Sequence, residues 1–395
     1  MIAEAVEIRK LGDLCEVITK GTTPTSIGHA FQDEGINFVK VESLTENGTF
    51  IESKFAHISE EGNEALKRSQ LKENDILFSI AGALGRTAIV TEDILPANTN
   101  QALAIIRLKD DVELDHSYLI KYLISAVIIE EIEKLKGGVA QQNLSLGQLK
   151  AIEIPIPPLP EQERIVAKLD TAFAALDAAK ANTERNLQNA KELFQSKLNE
   201  VFSQKGDGWV EKKLGTACVI AMGQSPKGSS YNDTGEGVPL INGPVEFGKE
   251  PFSKTIKSKF TTSPTKMCKE GDMILCVRGS TTGRINIAGF EACIGRGVAS
   301  IRFEDNQIWL NYFIRAKQQE IYDLGTGATF PNVSGKMLSE MSFPIPPSEV
   351  QRKLVSMMEA LDTSTGTLQT NYTQKLTELE DLKKSLLERA FKGEI

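Results

Sequence analysis

Residues Leu135 to Phe202 recur as Leu324 to Phe391, with every matched position 189 apart. The matches include Gly138/Gly327, Asn143/Asn332, Ser145/Ser334, Leu149/Leu338, Gln162/Gln351, Val166/Val355, Leu198/Leu387 and Phe202/Phe391. Both copies also carry Pro-Ile-Pro-Pro, at Pro155–Pro158 and Pro344–Pro347. A duplicated unit of this size forces the chain into two like bodies, which can be related by a pseudo-two-fold inside one polypeptide. Such an object suits a target made of two half-sites, and duplex DNA is the commonest one.

The unit reads as a globular part followed by a long helix. From about Glu161 to Phe202, the residues Val166, Leu169, Phe173, Leu176, Leu187, Ala190, Phe194, Leu198 and Val201 fall at helical spacing. Lys180 and Thr183 interrupt that stripe. From about Glu349 to Phe391 the stripe is cleaner, running through Met358, Leu361, Leu368, Tyr372, Leu376, Leu379, Leu382 and Leu386. The proline runs forbid continuation of any earlier helix. Gly206, Gly208 and Gly393 stand where terminators belong. About 42 residues at ~1.5 Å each make a rod of roughly 60 Å. A helix that long has no core of its own, so its expected partner is the other copy, packed antiparallel. The unbroken repeat favours that internal pair over a coil between two chains.

The globular parts repeat more loosely. Lys10-Leu11-Gly12 matches Lys213-Leu214-Gly215, Asp75 and Gly82 match Asp272 and Gly279, and Arg107 matches Arg302. Short β-rich runs (Ile76–Ile80, Leu103–Ile106, Met273–Val277) alternate with Gly/Asn/Asp turns, and a helical pattern covers Ser117 to Lys134. The expected class is α+β, each globular part built on a twisted, largely antiparallel sheet.

Charge narrows the function. The net is −8, divided as −9 over residues 1–154, 0 over 155–206, +2 over 207–343 and −1 over 344–395. No segment is a basic arm, so a nucleic-acid role requires a partner that supplies much of the phosphate neutralisation. Five cysteines at unpaired spacings point away from a disulfide framework or a zinc site and towards a reducing, cytoplasmic setting. Met1 to Lys10 holds Glu4 and Glu7 and no apolar run, unlike a secretory signal. The apolar run near Tyr122–Ile129 is too short to span a bilayer.

Catalytic signatures are missing: there is no phosphate-binding loop, no His-Glu-x-x-His, no Gly-x-Ser-x-Gly and no Asn-Pro-Pro-aromatic tetrapeptide. His29, His57 and His116 lie far apart. The pattern is that of a non-catalytic binder with no metal site. Three loop sets recur in both globular parts as contact candidates. The first holds Lys20, Thr22 and Thr23 beside Gln224, Ser225 and Lys227, whose small polar groups reach phosphates or base edges. The second holds Arg86 beside Arg278 and Arg284, rigid forks suited to guanine or phosphate. The third holds Gln141 and Gln142, which suit adenine, beside Thr329 and Phe330, which suits a thymine methyl or an unstacked base. Arg296 is a further candidate. Arg107 and Arg302 end apolar strands and are expected to be structural, and Asn143 and Asn332 are expected to cap or brace a helix.

Lys20-Gly21-Thr22-Thr23-Pro24, Leu71-Lys72-Glu73-Asn74-Asp75-Ile76-Leu77, Asn100-Gln101 and above all Ile154-Pro155-Ile156-Pro157-Pro158-Leu159-Pro160-Glu161-Gln162-Glu163-Arg164-Ile165-Val166 resemble the specificity subunit of type I restriction-modification systems. The second copy departs from the pattern, with one proline fewer in Pro346-Pro347-Ser348-Glu349-Val350-Gln351 and with Arg296-Gly297 set against Asn100-Gln101. The resemblance implies target-recognition domains over 1–154 and 207–343, with helical regions over 155–206 and 344–395 forming an intramolecular coiled coil. It implies recognition of double-stranded DNA with a bipartite, asymmetric target. It also implies docking of two adenine methyltransferase subunits that hold S-adenosylmethionine, and of restriction/translocase subunits using ATP and Mg2+, with no cofactor on this chain. The rod then acts as a ruler, favouring half-site centres near ~10 bp apart. A coiled-coil structural or adhesin protein is the alternative; it fits the rods and the acidic charge but not the paired glycine/arginine loops.

Overall fold

The computed structural model describes residues 6–45, 48–135, 143–204, 206–325 and 331–395. The chain divides into two compact units, residues 1–183 with 374–395, and residues 184–373. Each unit therefore holds one globular body together with one part of each long helix.

In the first unit, Cys15–Lys20, Leu103–Leu108, Ile76–Ser79 and Thr87–Ile89 form a four-stranded antiparallel sheet, in that spatial order. A second sheet, ordered Phe31–Gln32, Ala56–Ile58, Ile36–Val39 and Ala97–Thr99, contains one parallel pair, Ile36–Val39 with Ala97–Thr99. The second unit repeats both: Val219–Met222, Val298–Arg302, Met273–Cys276 and Ile285–Ile287, and a sheet of five short strands. The single sheet expected for each body is thus two. The central strands are buried on both faces, as their unbroken apolar runs imply. The neighbouring short strands carry too few residues for period-2 patterning to register, which hid the second sheet.

One ion pair recurs at each sheet. Arg107 donates bidentately to the carboxylate of fully buried Asp75, both bonds 2.7 Å. Arg302 does the same to Asp272 at 2.6 and 2.8 Å. Each aspartate also accepts a turn amide, from Lys72 and Lys269 respectively. These arginines are structural, as their place at the ends of apolar strands implies.

The helical pattern over Ser117–Lys134 is two helices, His116–Leu123 and Ala126–Leu135. Asp115 caps the first through the Tyr118 amide, and a tight bond from the Ser125 amide to the Tyr122 carbonyl ends it. The caps near the repeat are also shifted. Ser145 and Ser334, not Asn143 and Asn332, accept the first-turn amides of Leu146–Ala151 and Gly335–Glu340. The serines have extended backbone and a hydroxyl one bond from Cβ, the geometry an N-cap needs.

The long helices run Leu159–Ser203 and Ser348–Phe391. Gln162 shows what its motif does. Its buried side chain accepts from the Asp115 amide at 2.8 Å and donates to the carbonyls of Glu113 and Pro157. Gln351 repeats the last contact with Pro346 at 2.8 Å. The amide thus satisfies carbonyls that the prolines leave without helical donors, and ties each helix start to its body.

Within the first unit the helices run antiparallel: Asp177 and Lys180 meet Lys383 and Glu380. Thr183, expected to interrupt the stripe, is buried, its hydroxyl bonded to the Ala179 carbonyl one turn back. The helices do not bury only each other. Ile165, Leu169, Leu387 and Ala390 share one core with Leu119, Leu123 and Ile154. In the second unit Phe194, Leu198, Val201 and Phe202 join Val355, Met358, Trp309 and Phe343. Equivalent aromatic locks close both: Phe391 packs on Tyr118 and Tyr122, and Phe202 on Trp309 and Phe313. Tyr118 and Trp309 each donate to a carbonyl of the proline run, Pro155 and Pro344.

Candidate nucleic-acid interface

Gly21 follows the strand Cys15–Lys20 and lies against the neighbouring chain so closely that a Cβ would stand 1.9 Å from the Thr99 carbonyl oxygen. Gly223 occupies the same place in the second unit, where a Cβ would stand 2.1 Å from the Gly295 carbonyl oxygen. Only glycine permits this approach. The matching strands Ala97–Thr99 and Ala292–Ile294, paired in parallel with Ile36–Val39 and Val238–Ile241, align the loop 100–102 with 295–297. Arg296 therefore stands opposite Gln101 rather than Asn100, one position away from the pairing that the dipeptides suggest.

The hydroxyl of the first loop reaches this second loop in both units. Thr23 donates to the side-chain carbonyl of Gln101, and the Arg296 amide donates to the Ser225 hydroxyl at 3.2 Å. Backbone bonds carry the connection onward. Ile80 donates to Ala102, and Val277 to Gly297, each 2.9 Å. Leu144 then donates to Ile80, and Val333 to Val277, at 2.8 and 2.9 Å. In the second unit Gly279 also donates to Pro331 at 2.9 Å, and Arg278 bridges to Asn332. Loops spread from Gly21 to Leu144 in one unit and from Gly223 to Val333 in the other are thus stitched into equivalent clusters, each combining the flanks of the three loop sets.

The candidate side chains differ in what they are free to do. Lys20 is exposed at its strand end, and Thr22 accepts a 3.4 Å bond from exposed Arg68. Arg86 is half-buried and donates to the Leu44 carbonyl at 3.2 Å, which ties it to a neighbouring turn. Its equivalent Arg284 is exposed, with the guanidinium 5.8 Å from the centre of the Phe247 ring. Gln224, Lys227, Arg278 and Arg296 are exposed, and Ser225 is half-buried. Gln141, Gln142, Thr329 and Phe330 lie outside the described residues. Sequence reasoning missed Arg68, Asn242 and Thr265. Thr265 donates to the Gln224 carbonyl, and a Cβ on Gly295 would stand 2.0 Å from the Asn242 side-chain oxygen. Their neighbours are distant in sequence, so only the folded sheets reveal them. Gln101 stood in a recognised dipeptide, yet nothing in that dipeptide singled it out as a site.

The clusters hold polar and cationic groups suited to phosphates and base edges. Among the described residues no group of three His, Cys, Asp or Glu could hold a metal ion. No helix among them is long and apolar enough to cross a membrane. All five cysteines are buried and free. Burial raises the Cys15 and Cys218 thiols to about 12, and Cys268 and Cys276 to about 11. A folded thiol held above its unfolded value of about 8.5 favours the folded state least at high pH, so stability falls as pH rises from about 9 towards 11. The native chain is accordingly expected to leave a thiol-reactive chromophore uncoloured at pH 8 and to titrate five thiols only after denaturation. Rapid colour without unfolding would contradict the burial.

The family model for the type I restriction modification DNA specificity domain matches twice, over residues 3–188 and 206–378. The chain is 30% identical over 383 residues to the putative type I restriction enzyme MjaX specificity subunit of Methanocaldococcus jannaschii, covering 91% of this chain and 88% of the relative. It is 21% identical to the EcoKI specificity subunit of Escherichia coli, over 92% and 85% of the two chains. A chain from a structure describing complex assembly and conformational transition of the type I R-M system superposes with a TM-score of 0.84 at 25% identity, covering 100% of both chains. The HsdS subunit of Thermoanaerobacter tengcongensis gives 0.65 at 24% identity, over 98% and 97%. Two matched domains, full-length relatives and a duplicated body-plus-helix fold place this chain in the family of type I restriction-modification specificity subunits.

Proposed function

We propose that each of the two bodies reads one half of a bipartite, asymmetric duplex target. The carrying observation is that one loop cluster occurs twice on the same hydrogen-bonded frame but with different exposed side chains: Lys20, Arg68 and Gln101 in one, Gln224, Lys227, Arg278 and Arg296 in the other. A shared frame with changed contact groups is what two readers of different sequences need, because base edges discriminate by donor and acceptor pattern while the frame only positions them. Residues 1–154 and 207–343 are then the target-recognition domains, and 155–206 and 344–395 the helical regions. The chain itself performs no bond chemistry. Two methyltransferase subunits with S-adenosylmethionine dock on it and supply basic surface that its net charge of −8 lacks. Restriction/translocase subunits with ATP and Mg2+ complete the complex, in the cytoplasm.

Exchange of Gly208–Met341 for the corresponding segment of another family member tests the reading. Methylome sequencing is expected to show one half-site changed and the other retained. A change in both half-sites, or in neither while methylation persists, would remove the assignment of one reader per body.

A further inference from the structure

The two clusters share a frame but not a charge. Counting from the equivalent glycines, Thr25 stands where Lys227 does, and Ala81, before the left-handed Gly82, stands where Arg278 precedes Gly279. Gln101 stands where Arg296 does. Three neutral positions of the first cluster are thus cationic in the second. The first keeps Lys20 and Arg68 exposed, whereas its Arg86 is committed to the Leu44 carbonyl. The second exposes Lys227, Arg278, Arg284 and Arg296, and among the described residues none of these four heads forms an ion pair. The background runs the same way, −9 over residues 1–154 against +2 over residues 207–343.

Arg296 is also held rigidly. It sits between Gly295 and Gly297, where a Cβ would stand 2.0 Å from the Asn242 side-chain oxygen and 2.7 Å from the Asn242 carbonyl oxygen, and its amide is tied to Ser225. The loop backbone is therefore fixed while the guanidinium reaches solvent, which lowers the ordering cost of a contact.

We infer that the second domain is the electrostatic anchor of the complex, gripping DNA phosphates through Lys227, Arg278 and Arg296, while the first domain reads its half-site with few phosphate contacts. This inference rests on the DNA-reading function proposed above. Neutralised phosphates release counterions, so each such contact adds about 0.9 to the slope of log affinity against log salt.

The test uses the full chain with its methyltransferase partner and a duplex carrying the methylome-derived target. Transplanting the first domain's residues, Lys227→Thr, Arg278→Ala and Arg296→Gln, is expected to lower the salt slope by about 2.7. Wild-type affinity then falls about 40-fold more than the variant's between 50 and 200 mM salt. Binding to a scrambled duplex is expected to lose the same slope, since phosphate contacts weaken all sequences alike. The reciprocal variant, Thr25→Lys with Ala81→Arg and Gln101→Arg, is expected to raise the slope by a similar amount, and it guards against misfolding of the first. An unchanged slope in both variants, or loss of preference without loss of slope, overturns the anchor. A wild-type complex that never prefers its target at any salt would instead overturn the DNA-reading function.

Discussion

Replacing Arg302 with alanine is expected to destabilise the second unit by about 3–5 kcal/mol, and Arg107→Ala the first by a similar amount. Asp272 and Asp75 are 2% and 0% exposed, so removing either arginine strands a carboxylate that water cannot reach. The remaining turn amides, from Lys269 and Lys72, cannot neutralise a full charge. The aspartates hold their arginines reciprocally: hydrogen bonding to Asp75 raises the Arg107 pKa, and Asp272 does so for Arg302. Urea denaturation followed separately for each unit would measure the cost, because a chain of two units need not unfold in one step. A loss under about 1 kcal/mol in both would show that the pairs are solvated in solution and that sheet packing alone holds these strands.

The end of the first long helix is expected to matter as much to the second unit as the unit's own core does. Phe202→Ala removes a ring packed 4.6 Å from Trp309 and 5.6 Å from Phe313, at a site 8% exposed. Large-to-small changes at such sites cost about 3–5 kcal/mol, the lost transfer energy adding to that of the cavity. Leu193, on the same helix, is 53% exposed, and Leu193→Ala is expected to stay within about 0.5 kcal/mol of the parent. Thermal and urea melting of the two variants compares them directly. Equal small losses would mean that the helix end frays from the body and that the repeat is held by its loops.

The long helices were legible because a 3.6-residue pattern sustained over eleven or more turns has no other reading, and proline runs marked where each begins. The arginines at strand ends were legible for a related reason: a cation ending an apolar run needs a buried anion, and Asp75 and Asp272 repeat at matching positions. What Gln162 does was not legible. Its motif is recognisable as letters, yet its partners Glu113, Asp115 and Pro157 are brought to it by chain reversal rather than by spacing. The short strands of the second sheet failed for want of length, and the helix break at Ser125 because no glycine or proline marks it.

The equivalence of Gln101 and Arg296 shows where the boundary lies. Letter matching paired Arg296 with Asn100, since insertions shift the offset from 203 through 195 to 189 along the globular parts. The strand registers and the bonds to Thr23 and Ser225 move the pairing by one residue and with it the side chain that faces outward.

Duplication, helix length, the absence of catalytic motifs and the family itself are properties of local pattern, and the amino-acid sequence determined them unaided. Which loops gather, which arginines stay free and how each body completes its core with both long helices were decided only by tertiary structure. The physical reason is that these features rest on hydrogen bonds and apolar contacts between residues far apart in the chain, and no periodicity encodes a partner at such a distance.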